Sequence, residues 1–129
     1  MIKEIIENIK DIQKCEKIEK ELKKLYEFGK KNIFQTPNTN YSTNQEKFEK
    51  DVIKLLNKFS PCIERLLKNT EEWIELAKGK YDLNINIESM KKTRDKILNA
   101  KKLIKELPEL SGFEFFKSFS TILKNILII

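Results

Sequence analysis

From Val52 to Leu76 one stripe of residues recurs at alternating steps of three and four: Val52, Leu55, Phe59, Cys62, Leu66, Asn69, Trp73 and Leu76. That is the period of an α-helix. At 3.6 residues per turn such positions share one face, whereas a strand would send them alternately to both. Leu56, Ile63, Leu67 and Ile74 widen the stripe on one flank. Trp73 is therefore expected in the core, and Asn69 as a polar residue that fixes helix register. Pro61, after Ser60, lies inside the stripe, and Ser-Pro can cap and open a new helix. The phase nevertheless passes through Pro61 without a slip, which predicts one helix bent there over two separate ones.

The same period organises the rest of the chain. Ile2, Ile5, Ile9 and Ile12 step by three and four, as do Cys15, Ile18, Leu22 and Leu25. The two series differ in phase by one residue, so a helix over 2–31 must rotate its buried stripe between them. Gly29 followed by Lys30 and Lys31 suits its C-terminal end. Residues 32–44 carry no charge and no period and read as a loop, in which the sequon Asn40-Tyr41-Ser42 is expected to be a chance match. Ser42 or Thr43, with Gln45 or Glu46 three residues on, has the spacing of a capping box for the second helix, which Gly79 closes. Residues 83–87 alternate with period two but have no partner strand, so they are a linker. Asn86 can cap a third helix over 87–107, stopped by Pro108. Ser111 with Glu114 opens a last helix toward Ile129. The expected fold is all-α, a single domain over 1–129: an up-down bundle of four helices, or five if the second breaks at Pro61.

Three Gly and three Pro in 129 residues are too few for the turns of a sandwich or barrel, and 40 % apolar with 36 % charged residues is a globular balance. The chain has no histidine, which removes the commonest general base and metal ligand and every Ser-His or Cys-His arrangement. No glycine loop can cradle phosphate, and Glu71 and Glu72, adjacent on a helix, point about 100° apart and cannot share a substrate. These features predict a non-enzymatic protein with no metal, cofactor or small-molecule substrate. The start of the chain lacks the apolar core of a secretory signal, and Cys15 and Cys62, among apolar neighbours, read as buried free thiols. Both point to the cytoplasm.

The net charge of +6 is uneven. Residues 88–108 hold seven basic and three acidic side chains. Met90, Thr93, Ile97, Ala100, Ile104 and Leu107 form the core face of that helix, and Lys91, Arg94, Lys101, Lys102 and Lys105 crowd one shoulder. Such a row can track phosphates, or it can be a solvated shoulder whose lysine stems cover apolar surface. Lysine outnumbers arginine 24 to 2 across the whole chain, which favours the second reading and argues against sequence-specific DNA contacts.

The final segment is apolar nearly all round but too short and too charged to span a bilayer. A central bundle helix explains most of it, and Ile126, Leu127, Ile128 and Ile129 are expected to dock into a partner or a second copy. The unequal helices point the same way. At 1.5 Å per residue the first two would span about 45 and 52 Å and the last two about 32 and 27 Å, leaving part of the long pair bare. The functional expectation is a non-catalytic helical module that binds a protein partner or itself through an apolar helix face. Non-specific nucleic-acid binding by helix 87–107 is the alternative.

Overall fold

The computed structural model describes residues 2–34, 43–78 and 87–126, and is an all-α bundle of four helices packed against one another. They are α1 (Ile2–Asn32), α2 (Thr43–Lys78), α3 (Ile87–Glu106) and α4 (Gly112–Asn125), with a 3₁₀ turn, Leu107–Glu109, between the last two. Each helix packs on the next in the chain, and α4 closes back on α1. At 1.5 Å per residue the lengths are about 46, 54, 30 and 21 Å, so the disparity expected from sequence is present and larger for α4.

α2 runs unbroken through Pro61, so the described residues form four α-helices and not five. Its neighbours decide which flank of the stripe is buried. Leu56, Ile63, Leu67, Ile74 and Ala77 are in the core, while Leu66, Asn69, Trp73 and Leu76 are exposed. The expectation of a core tryptophan and a register-fixing asparagine is thereby corrected. In its C-terminal half α2 is packed on α3, whose side takes the Ile63–Leu67–Ile74 flank and leaves the other to water.

The core is densest where α1 ends and α2 and α4 begin. Phe34 and Phe116 stack with ring centres 4.7 Å apart, Tyr26 and Phe116 at 5.4 Å, and Phe48 meets Phe119 edge-on at 6.2 Å. Gly29 is buried inside α1, not at its end: a Cβ there would come within 2.7 Å of the Phe48 ring, so the glycine admits the aromatic cluster. The helix instead finishes with the Ile33 and Phe34 amides donating to the Gly29 carbonyl.

Cys15 and Cys62 form a disulfide, with Cα atoms 5.9 Å apart, in place of the free thiols expected from sequence. The antiparallel hairpin of α1 and α2 explains it, since a separation of 47 residues along the chain becomes a juxtaposition across two helices. Arg65 and Asp11, 3.9 Å apart, continue the same register one turn on.

α4 starts as expected at the N-cap Ser111, but Ser111 makes no side-chain cap. Gly112, at φ +66°, donates its amide to Glu49 Oε1 at 3.3 Å, so a carboxylate from α2 caps α4 across the bundle. Burial pushes the Glu49 carboxyl above the usual range, the Gly112 amide pulls it back and Glu46 adds to the rise. The sequon Asn40-Tyr41-Ser42, Gly79 and residues 83–86, with the cap expected at Asn86, lie outside the described residues.

Candidate interaction surface

Five isoleucines of α1, Ile2, Ile5, Ile6, Ile9 and Ile12, are 46–75 % exposed. The core side chains of the same helix, from Cys15 to Gly29, lie on a different face. At 100° per residue the two groups are centred about 140° apart. The phase slip in the sequence therefore does not turn the isoleucines into the core; it turns them out of it. By helical register position 11 lies above the core face, and there Asp11 stands 3.9 Å from Arg65 of α2. The N-terminal half of α1 thus turns its isoleucines away from the face on which the same helix builds its core.

The disulfide and the Asp11–Arg65 pair place this half of α1 level with the C-terminal half of α2. There Trp73 is 62 % exposed, with Leu76 and Leu66 also open. They lie off the Ile63–Leu67–Ile74 flank of α2 that packs on α3. The five isoleucines of α1, each about half exposed at roughly 200 Å² apiece, present on the order of 550 Å², at the upper end of the roughly 300–600 Å² of the largest patch on a typical monomer.

This end of the molecule is also neutral. Segments 2–14 and 65–78 hold six basic residues (Lys3, Lys10, Lys14, Arg65, Lys68, Lys78) and six acidic ones (Glu4, Glu7, Asp11, Glu71, Glu72, Glu75). The whole excess of +6 lies elsewhere.

The basic shoulder of α3 is only partly an open row. Lys101 is paired with Glu64 of α2, and Arg94 lies 3.5 Å from Asp95. Lys101 and Lys105 stand at the lip of a groove of about 360 Å³ between α2 and α3, lined by Leu56, Ile63 and Ile104. Lys91 is half-buried and Lys102 exposed. Of the core face expected on α3, Ile97, Ala100 and Leu107 are buried, while Met90, Thr93 and Ile104 are only half-buried.

Ile126, expected at an interface, is buried in the chain's own core beside Ile122 and Leu123, because α4 ends while still under cover of the bundle. Leu127, Ile128 and Ile129 lie outside the described residues. Among the described residues no three of His, Cys, Asp and Glu gather to hold a metal ion, and no helix is long and apolar enough to cross a membrane. No protein family, curated protein or solved structure matches the chain.

The isoleucine face was legible as a pattern but misassigned, since Ile2–Ile12 carries the same spacing as a core stripe. The slip in phase between Ile12 and Cys15 was the signal that could have found it.

Proposed function

We propose that the protein is a non-catalytic helical module that binds protein through the apolar face of α1. The observation that supports this most is the placement of five isoleucines on α1 away from the core that the same helix builds. Exposing them costs solubility and contributes nothing to the domain's own packing, so the face is understandable only when something covers it. Among the described residues no grouping suggests catalysis, and the reading needs no cofactor.

The test is chemical cross-linking in the expressing cell with the unaltered chain and with Ile5→Glu/Ile9→Glu. Products that form with the first and disappear with the second support the module. An identical product pattern for both overturns it.

Nucleic-acid binding by α3 draws less support, because Lys101 and Arg94 already face carboxylates and arginine is scarce. The cytoplasmic assignment loses one of its grounds as well, since a structural disulfide suits an oxidising compartment better than a reducing one.

A further inference from the structure

We infer that the groove between α2 and α3 binds a medium-chain fatty acid, with its carboxylate on Lys105 and its chain over the apolar lining. The residues come from α2, α3 and the turn that follows, none from α1, so this goes beyond the interaction reading above and stands apart from it. Three observations support it.

The first is shape. By position along the helices, the Glu64–Lys101 pair bounds one end of the groove, and the 3₁₀ turn, through Leu107 and Pro108, bounds the other. About 360 Å³ lies between them, within the roughly 300–1,000 Å³ of small-molecule sites. At about 30 Å³ for each water displaced, that is room for about a dozen non-hydrogen atoms.

The second is the lining. Leu56, Ile63 and Leu107 are buried, while Ile53 and Ile104 are only half-buried and still meet water. A hydrocarbon chain laid over them removes that area from solvent. A sugar or nucleotide would set polar groups against it without partners.

The third is the polar rim. Asn57, Ser60 and Lys105 are exposed, line the groove and make no hydrogen bond or ion pair with another described residue. Each can donate to a carboxylate. Glu64, the one carboxylate of the lining, is already held by Lys101, so Lys105 leaves one positive charge uncompensated. Segment 88–108, with seven basic and three acidic side chains, adds to the attraction for an anion. One free cation beside two neutral donors fits a single carboxylate head.

Octanoate, with about ten non-hydrogen atoms, is the probe, followed by amide shifts of the ¹⁵N-labelled chain. Expected is saturable binding with a Kd of about 0.1–1 mM and shifts confined to residues 53–64 and 101–108. Lys105→Gln has no partner to lose, so it should keep its helicity while weakening octanoate about fivefold or more, and Lys105→Arg should retain it. Ser60→Trp, which fills the groove, should abolish binding. Acetate should bind at least about tenfold more weakly, and octylamine not at all. No saturable shift by about 10 mM octanoate overturns the proposal, as do shifts spread over all four helices. Acetate or octylamine binding as well as octanoate overturns it too, as does unchanged affinity in Lys105→Gln. A peptide with an apolar C-terminal residue that binds where octanoate does not would make the groove a protein contact and overturn the fatty acid. Ile5→Glu/Ile9→Glu should bind octanoate as the parent chain does, so a failure here leaves the α1 reading in place.

Discussion

Reducing the Cys15–Cys62 bond should cost this protein a large share of its stability, through the unfolded chain more than through the native one. The bond closes a loop of 47 residues. Loop-closure entropy for that length is about 13–14 cal/mol/K, or about 4 kcal/mol at 25 °C. An unfolding entropy of about 2.1 cal/mol/K per residue amounts, over 129 residues, to about 0.27 kcal/mol/K, so the expected fall in Tm is about 15 °C. The assay is urea and thermal unfolding by circular dichroism, with and without reductant, and on Cys15→Ala/Cys62→Ala. A second signature follows from the same cause. A chain freed of its cross-link expands further on unfolding, so the urea m value should rise. Thiol titration before reduction should find no free cysteine in the native protein. A Tm change under about 5 °C with m unchanged would refute the reasoning, as would free thiols in the native protein.

Gly112→Ala forces a left-handed φ of +66° on a residue with a Cβ and crowds Gln45, so it should destabilise by about 1–2 kcal/mol, read by urea unfolding. Glu49 binds its proton more readily folded than unfolded, so its contribution favours the folded state at acid pH and is lost as pH rises through its raised folded value. Glu49→Gln should therefore be relatively more stable than the parent at pH 7 than at pH 4, in paired melts across that range. Leu22→Ala, at a fully buried position of α1, should cost about 2–5 kcal/mol, whereas Ile9→Ala should cost under about 1 kcal/mol in the monomer. Equal losses would mean that the two stripes of α1 share one core. Lys91, Lys102 and Lys105 changed together to Gln should leave nucleic-acid retention at physiological salt unchanged; a flattened salt dependence would restore α3 as a phosphate-tracking helix.

Much of the fold follows from local spacing. The helices of residues 2–32, 43–78 and 87–106, the stop before Pro108 and the restart at Ser111 all lie within a residue or two of where apolar period, caps and Pro place them. The core face of α3 is equally local, because Ile97, Ala100 and Leu107 have no competing stripe. Even the phase slip between Ile12 and Cys15 is written in the chain.

What that slip means was decided only in three dimensions. A helix records which residues share a face, but not which face its neighbours will cover. Here the slip turns Ile9 about 140° from Leu22 and the bundle packs only on the Leu22 face, so Leu22 is buried and Ile9 is not, although both sit in stripes of the same period. The same dependence on neighbours exposed Trp73, buried Ile126, brought Cys15 to Cys62 and gave Gly112 its cap from Glu49. Periodicity is a property of a few consecutive turns and can be read from them. Burial, cross-linking and capping across the bundle depend on where other segments lie, and that is fixed only when all four helices pack.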